Sequence, residues 1–337
     1  MQEIKWGIIG SGNVVKKKSG PAFNIVSNSS IVAIMGRNKE SVEDVSKALK
    51  IDNLYYDINE FLNNKDINAV YIATPPGSHL EYAKKCCEAK LPTYIEKPIA
   101  RNYQETLQIV KMFKEAGVPL YIAHFYRAFP KFIKIKELLD NGAIGKICEV
   151  DFKLDRRYFP STLNTWLYDT EISGGGKFYD IAPHAIDIMI YLFGKFIKVN
   201  GIATNNIKEY DVEDVVVMSF KTDRNIIGTA NFNSIALEKS DNMIVNGTKG
   251  KIEFSIHDNS PVIIITEEGK QKIEFDNEEM IQINMIKNVV QSLIIDKSLN
   301  SCTGEEALET YRIMDEVLEE YYNGRDNFWT RKETWNK

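Results

Sequence analysis

The chain has 337 residues, enough for two domains of ordinary size, each with a large hydrophobic core. With 44% hydrophobic and 26% charged residues and a net charge of −5, it has a globular composition and no basic patch for nucleic acid or an anionic membrane. The four cysteines show no metal or redox spacing, and the chain has no recognisable signal peptide. No apolar run approaches the ~20 residues that a membrane span requires. These observations favour a cytoplasmic protein.

The first predicted element is a buried strand that ends in a glycine turn. A short apolar run precedes Gly10 and Gly12, and a helix is predicted from Asn13 onward. The first N–H groups of such a helix, at Asn13 and Val14, favour a pyrophosphate above the turn. Taken alone, the pattern is weak, because an ordinary glycine turn looks the same and Val15 stands where a third glycine is expected.

Apolar strands then alternate with charged amphipathic helices as far as residue 125. Five more strands are predicted, around Ile31–Met35, Leu54–Tyr56, Ala69–Ala73, Pro92–Ile95 and Leu120–Ala123. This alternation predicts βαβ units and a doubly wound parallel sheet of the Rossmann type. In such a sheet, the glycine turn is a strong indication of a dinucleotide-binding site. Ligands of such sheets bind at the carboxyl ends of the strands. The further cofactor contacts predicted at these ends are Thr74, Pro75, His79, Glu96 and Lys97.

The end of the second strand bears on the choice between NAD and NADP. An Asp or Glu in this region binds the adenosine ribose 2′-hydroxyl and selects NAD, whereas this strand ends in Gly36 and Arg37 with no carboxylate. Gly36 would leave room for a 2′-phosphate, and Arg37 could pair with that phosphate through two hydrogen bonds. NADP is therefore the predicted cofactor, and NAD is the alternative if Arg37 is merely a surface residue.

From about residue 126 the pattern changes to strands with helices set apart. Most strands are predicted between residues 197 and 275, and the predicted helices are Pro130–Asp140, Phe178–Phe193, Glu278–Ile295 and Glu305–Tyr322. This order predicts an α+β domain with a large, open, mostly antiparallel sheet. The expected organisation is a dinucleotide-binding α/β domain of residues 1–125 followed by an α+β domain of residues 126–337.

Three side chains have the chemistry of a hydride-transfer site. Lys97 follows the fifth strand, where its ammonium can bind a substrate hydroxyl and stabilise negative charge on that oxygen. Asp180 and His184 share one face of a helix, where the carboxylate can fix the tautomer of the imidazole for acid–base catalysis. A metal pair is the alternative for these two, but no further ligands stand at usable spacing, so no metal is predicted. Gly174–Gly176, just before them, would let the backbone approach a ligand.

Together these motifs resemble the glucose–fructose oxidoreductase/inositol dehydrogenase (Gfo/Idh/MocA) family over nearly the whole chain. The matching motifs are Gly10-Ser11-Gly12, Ala73–His79, Glu96-Lys97-Pro98, Tyr126-Arg127 and Gly174-Gly175-Gly176-x-x-x-Asp180-x-x-x-His184. The resemblance implies oxidation or reduction at a carbinol of a sugar, sugar derivative or cyclitol, and a homodimer or homotetramer formed through the second domain. It also implies Lys97 as the catalytic lysine, His184 as the acid/base with Asp180 as its partner, and a cis peptide bond before Pro98.

The predicted substrate pocket departs from this family at one motif. Leu167 stands where many members have an arginine, in Trp166-Leu167-Tyr168-Asp169. Nearby polar residues could replace the missing contact. The predicted substrate contacts are therefore Tyr126, Arg127, Arg156, Tyr158 and Trp166.

Two other functions remain open at this point. The same fold supports glycoside hydrolysis with tightly held NAD and transient oxidation of the sugar, which consumes no cofactor overall. A non-catalytic dinucleotide-binding sugar sensor is the other alternative, since a fold does not establish chemistry. Lys97, Asp180 and His184 argue against the sensor, because a protein that only binds its ligand has no need of all three.

Overall fold

A computed structural model describes residues 3–157, 166–276, 280–295, 299 and 301–336. The strands are β1 Ile4–Ile9, β2 Ser29–Met35, β3 Asn53–Tyr55, β4 Ala69–Ile72, β5 Thr93–Ile95, β6 Leu120–Ile122, β7 Ile147–Asp155, β8 Phe196–Thr204, β9 Val215–Thr222, β10 Ile227–Asn233, β11 Ser240–Gly247, β12 Gly250–Phe254, β13 Val262–Thr266 and β14 Gly269–Ile273. The α-helices are α1 Gly20–Ile25, α2 Lys39–Leu49, α3 Ile58–Leu62, α4 His79–Glu88, α5 Tyr103–Ala116, α6 Pro130–Asp140, α7 Thr170–Ser173, α8 Lys177–Phe193, α9 Ile283–Ile295 and α10 Gly304–Tyr322. Among the described residues, no helix is long and apolar enough to span a membrane.

The chain forms two compact units. The first comprises Met1–Ala100, Gln104–Ala128 and Glu278–Leu308, and the second comprises Arg101–Tyr103, Phe129–Asn277 and Glu309–Lys337. This division differs from the expected boundary at residue 125 because the chain returns to the first unit near its end. There the side-chain amide of Gln282 donates to Glu96 at 2.5 Å, and the hydroxyl of Tyr94 donates to Gln282 at 3.0 Å.

Six parallel strands form the sheet of the first unit, in the order β3-β2-β1-β4-β5-β6. β1 and β4 lie at its centre and are buried on both faces, which explains their continuous apolar sequences. The strand order reverses between these two strands, and their carboxyl ends form the crevice where such sheets bind ligands. The predicted doubly wound Rossmann sheet is confirmed.

Eight strands form the sheet of the second unit, in the order β14-β13-β12-β11-β7-β10-β9-β8. β7 and β10 pair in parallel, and the other described neighbours are antiparallel, which confirms the mostly antiparallel sheet. Helix α8 packs on one face, where the ring of Phe178 meets that of Phe232 at a centroid distance of 5.0 Å. The opposite face carries exposed apolar side chains, with Ile202 beside Val217 in the β8–β9 pair.

Candidate active site

The turn after β1 has the shape of a dinucleotide-binding loop. Gly10 has a φ of +118°, and its N–H donates to the carbonyl of Met35 at 2.8 Å, which brings the ends of β1 and β2 together. A Cβ on Gly10 would lie 2.7 Å from the carbonyl oxygen of Ala73, so glycine is required there. A Cβ on Gly12 would meet nothing within 4 Å. The open space in front of Gly12 fits a cofactor pyrophosphate.

The glycine turn continues directly into a helix. The N–H of Lys16 donates to the carbonyl of Gly12 at 3.1 Å, a π-helical turn covers Val15–Ser19, and α1 follows. The N–H groups of Asn13 and Val14 precede this first helical hydrogen bond, and groups at such positions have no acceptor within the helix. Together with the helix dipole they suit an anion, as the sequence predicted.

Arg37 lies at the end of β2, beside the glycine turn. The Ser41 hydroxyl, on α2, links the segment after β2 to the glycine turn by donating to the carbonyl of Ser11 at 2.6 Å. Arg37 is exposed and forms no ion pair within the described part of the chain. The space beside Gly36 that the sequence analysis reserved for a phosphate is filled by protein, since a Cβ there would lie 2.8 Å from the Val42 side chain. Of the two residues predicted to favour a 2′-phosphate, Gly36 leaves no space for one, and the role of Arg37 stays a prediction.

Thr74, Pro75 and His79 follow β4 at the same edge of the sheet. His79 is fully buried, with Nδ1 3.0 Å from the carbonyl oxygen of Ile99 and Nε2 2.6 Å from that of Thr74. Burial lowers the pKa of His79, and a neutral imidazole donates through one nitrogen only. His79 therefore donates to one of the two carbonyls, and because protein atoms face both ring nitrogens, this environment replaces the expected contact with a cofactor ribose.

Glu96 is buried at the end of β5 and anchors the segment that carries Lys97. Its Oε1 accepts from the Tyr71 hydroxyl and from the Gln282 amide, both at 2.5 Å, and its Oε2 accepts from the N–H of Lys97 at 3.2 Å. Burial, with Glu96 beside it, raises the pKa of Tyr71 well above its usual value, so this hydroxyl stays a donor. The peptide bond before Pro98 is cis, as the resemblance implied. Glu96 therefore fixes the backbone of the segment that carries Lys97, and a contact of Glu96 with a cofactor stays a prediction.

Tyr126 and Arg127 lie in a 3₁₀ turn that follows β6. Both side chains are buried in the first unit, and Arg127 Nη1 lies 3.8 Å from Glu306 Oε1. Their contact with a substrate stays a prediction.

Helix α8 carries both predicted acid–base residues of the second unit. Asp180 and His184 lie one turn apart, His184 is buried, and Lys177 Nζ lies 3.6 Å from Asp180 Oδ2. The ring of His257, from the β12–β13 connection, stands edge-on to that of His184 at a centroid distance of 6.4 Å. No sequence pattern links the two rings, because His257 lies between β12 and β13 whereas His184 lies on α8. In the described ranges, no group of three or more His, Cys, Asp or Glu side chains could hold a metal ion.

A small pocket lies beside the first turn of α8. Its lining includes Arg156, Lys177, Ile181, Phe232 and Asn233, all in the second unit. Asp214 also lines the pocket, so charged groups of both signs and an amide stand beside apolar side chains, and the pocket suits a polar substituent.

Arg156 is held at this pocket by a carboxylate on the β12–β13 connection. Its Nη2 lies 3.1 Å from Asp258 Oδ1, and the carbonyl of Asp258 accepts from Lys131 Nζ at 3.1 Å. Burial lowers the pKa of Lys131 to about 8. The Nε of Arg156 is buried without an acceptor among the described residues, so the protein does not use the full hydrogen-bonding capacity of this guanidinium.

Of the remaining predicted substrate residues, Trp166 begins a 3₁₀ turn and is 41% exposed. The next residues lead into α7, which Asp169 caps by accepting from the N–H of Glu171 at 3.1 Å. Tyr158 lies outside the described residues. Substrate contacts by these side chains stay predictions.

The three glycines before α8 are required by packing within the protein. A Cβ on Gly174 would lie 2.6 Å from the backbone of Arg101, and one on Gly176 would lie 2.6 Å from the carbonyl oxygen of Glu213. A Cβ on Gly175 would lie 2.7 Å from the side chain of Tyr179. The expectation that these glycines let a ligand approach is therefore wrong, because protein atoms occupy the space beside each of them.

Comparison with known proteins agrees with this geometry. A model of the oxidoreductase family with an NAD-binding Rossmann fold matches residues 4–124, and a model of the GFO/IDH/MocA C-terminal domain matches residues 132–253. Oxidoreductase P35 of Formosa agariphila is 39% identical over 319 residues, which cover 93% of this chain and 97% of that protein. This chain belongs to the Gfo/Idh/MocA family.

Other members of the family show the range of its reactions and cofactors. The NADP⁺-dependent scyllo-inositol 2-dehydrogenase of Bacillus subtilis is 28% identical over 198 residues, covering 57% of this chain and 54% of that protein. The structure of levoglucosan dehydrogenase in complex with NADH and levoglucosan has a TM-score of 0.87 at 22% identity, covering 94% of this chain and 97% of that chain. At this identity the likeness shows a shared fold. The Gfo/Idh/MocA chain is an oxidoreductase of the dehydrogenase/reductase type with an NAD(P)-binding Rossmann domain.

Proposed function

We propose that this Gfo/Idh/MocA protein is an NADP-preferring dehydrogenase or reductase that acts on a carbinol or ketone of a sugar, sugar derivative or cyclitol. The observation that carries the proposal is the Lys97 segment, which buried Glu96 anchors through hydrogen bonds from three protein groups. The substrate class comes from relatives named as levoglucosan and inositol dehydrogenases. A homodimer or homotetramer and a cytoplasmic location stay predictions.

Each functional side chain has a separate task in this reaction. A dinucleotide held by the first unit would supply or accept the hydride. The ammonium of Lys97 binds the substrate oxygen and stabilises the negative charge that develops on it. His184 takes the hydroxyl proton during oxidation and returns it during reduction, while Asp180 orients the imidazole. Lys177 Nζ, 3.6 Å from Asp180 Oδ2, helps to hold that carboxylate in place on α8.

The residues that would hold the cofactor lie in the first unit. Gly12 leaves space for the pyrophosphate, and the N–H groups of Asn13 and Val14, which precede the first helical hydrogen bond, would donate to it. Arg37 would bind the 2′-phosphate of NADP through its exposed guanidinium.

Replacing Arg37 by Gln should weaken NADPH binding and leave NADH binding unchanged. Charge-assisted hydrogen bonds to a phosphate contribute about 1.5–3 kcal/mol, so the Kd for NADPH should rise about 10- to 100-fold. Titration of the purified protein, followed by nicotinamide fluorescence, measures both constants. The matched control is Lys39→Gln, which removes a positive charge two residues away. Equal losses for NADPH and NADH, or tighter NADH binding by the wild type, would contradict the assignment.

Replacing Arg156 by Met should raise the substrate KM and leave kcat nearly unchanged. The pocket beside α8 would receive a polar substituent of the substrate, away from the reacting oxygen, and losing one charge-assisted hydrogen bond should raise KM about 10-fold. Steady-state kinetics with the best sugar found for the wild type measure the two constants. Lys153→Met, an exposed lysine on β7, is the control. A fall in kcat at constant KM would show that Arg156 does not bind a substituent of this kind.

A further inference from the structure

A buried ionic cluster lies against the glycine segment that precedes α8. We call it the anchor cluster, and it consists of Glu213, Asp315, Tyr322 and Arg325, each at most 8% exposed. Three charged groups at such depth are unfavourable unless each has partners in the protein. The hydrogen-bond partners of these groups therefore indicate the role of the anchor cluster.

Glu213 binds the start of α8. Its Oε1 accepts from the N–H of Gly176 at 2.8 Å, and its Oε2 accepts from the hydroxyl of Tyr322. Gly176 is the N-terminal cap residue of α8 and has no side chain of its own to cap the helix. The Glu213 carboxylate instead accepts from the N–H of the cap residue itself, and it complements the positive end of the helix dipole. Burial raises the pKa of Glu213.

Arg325 binds the other end of the glycine segment. Its Nη2 donates to the carbonyl of Gly174 at 2.7 Å and to that of Arg101 at 3.1 Å, while its Nε donates to Asp315 Oδ1 at 3.0 Å. The guanidinium also stacks on the ring of Phe328 at 3.9 Å. The planar guanidinium has several N–H donors and contacts all of these partners at once. A lysine ammonium could not reproduce this arrangement.

We infer that Glu213 and Arg325 are positioning residues, which hold the two ends of Gly174–Gly176 and thereby set where Asp180 and His184 lie. Three successive glycines lack side chains to restrict the backbone, so the start of α8 needs anchors from elsewhere in the unit. Misplacing a catalytic group by ~1 Å can lower a rate about 100-fold. The inference rests on the proposed function of Asp180 and His184.

The test compares Arg325→Met with a matched arginine variant. Arg325→Met should lower kcat about 100-fold while the Kd for NADPH stays within about twofold, because the cofactor residues lie in the first unit. Arg312→Met is the control, since Arg312 pairs with two glutamates and donates to the carbonyl of Phe196 at 2.8 Å, on β8 rather than on the glycine segment. It should lower the melting temperature and keep kcat. Both variants are assayed at temperatures where circular dichroism shows them folded.

A second pair of variants keeps the inference testable if Arg325→Met does not fold. Glu213→Gln retains the length and the acceptor for the N–H of Gly176, whereas Glu213→Asp retains the charge but is one methylene shorter. A positioning role predicts a higher kcat for Glu213→Gln than for Glu213→Asp. A role in neutralising Arg325 predicts the reverse order, and that result would overturn the inference.

Hydrogen exchange separates failure of this inference from failure of the proposed function. If the wild type turns over a sugar and Arg325→Met, folded, turns it over equally fast, positioning by Arg325 is wrong. If the wild type transfers no hydride, the proposed function is wrong, and the anchors are then judged by amide exchange over residues 174–184. Faster exchange there in Arg325→Met than in Arg312→Met supports anchoring of α8, and equal exchange contradicts it.

Discussion

Replacing Lys97 by Met should lower kcat by about 100- to 1000-fold and leave the Kd for NADPH unchanged. Methionine matches the length of the lysine stem without its charge, so the change removes the group that stabilises the substrate oxygen. The backbone should stay in place because Glu96 binds the Lys97 N–H at 3.2 Å and is itself held by Tyr71 and Gln282. Steady-state turnover and a fluorescence titration of the same preparation measure the two quantities.

The control for this variant is Lys85→Met, which removes a lysine of the same unit that lies 4.0 Å from Glu81 on the surface of α4. It should leave both turnover and cofactor binding as in the wild type. Turnover of Lys97→Met close to that of the wild type would remove Lys97 from the catalytic machinery. A parallel loss of NADPH affinity would instead assign it to cofactor binding.

Replacing His184 by Gln should lower kcat by about 100- to 10,000-fold, the range that general acid–base catalysis contributes. Glutamine retains hydrogen-bonding atoms but does not exchange a proton near neutral pH, so the remaining activity should lose the pH dependence that titration of the imidazole imposes. Rates between pH 5 and 9, at saturating substrate and cofactor, measure this change. A change in the pH profile would show that the loss of rate comes from the missing acid–base group and not from unfolding of the variant.

His257 provides the comparison for His184. Its ring centre lies 6.4 Å from that of His184, and it follows β12 instead of lying on α8. His257→Gln should therefore keep the pH dependence of the wild type and most of its rate. If His257→Gln abolished the pH dependence and His184→Gln did not, the acid–base role would belong to His257.

Local patterns of the sequence were sufficient for much of the fold. The apolar runs of β1 and β4 predict strands buried on both faces, and their alternation with amphipathic helices predicts the parallel sheet. Gly10 shows the same agreement at the level of one residue, because a turn next to β4 demands a positive φ and no Cβ. Such features depend on neighbours in sequence or on regular periodicity, which a single chain displays directly.

Features that depend on distant partners could not be predicted in this way. Glu213 and Arg325 stand in no recognisable motif, and their roles appear only where the fold brings them to Gly174–Gly176. The glycines themselves were assigned to a ligand because sequence alone does not distinguish space left for a substrate from space filled by backbone or side-chain atoms of the protein. His79 was misassigned for the same reason, since its two carbonyl partners come from different segments.

The return of the chain to the first unit is a further example. The predicted boundary at residue 125 assigned every later element to the second domain, but Gln282 completes the hydrogen bonds of Glu96 and lies in the first unit. No periodicity around α9 distinguishes a helix that packs on one unit from a helix that packs on the other. Gln282 gives the buried carboxylate of Glu96 a second side-chain donor beside Tyr71. Such a partner cannot be recognised from the residues that neighbour either group in the sequence.

The transfer of deuterium to a sugar from NADPH that is deuterated at both C4 positions tests the central claim most directly. The protein would be incubated with the labelled cofactor and a panel of ketosugars, oxidised cyclitols and glycosides, and the products analysed by mass spectrometry. Net hydride transfer predicts one deuterium on the new carbinol carbon for each NADP⁺ formed. Cleavage of a glycoside with the amount of reduced cofactor unchanged would contradict this and establish the hydrolase alternative.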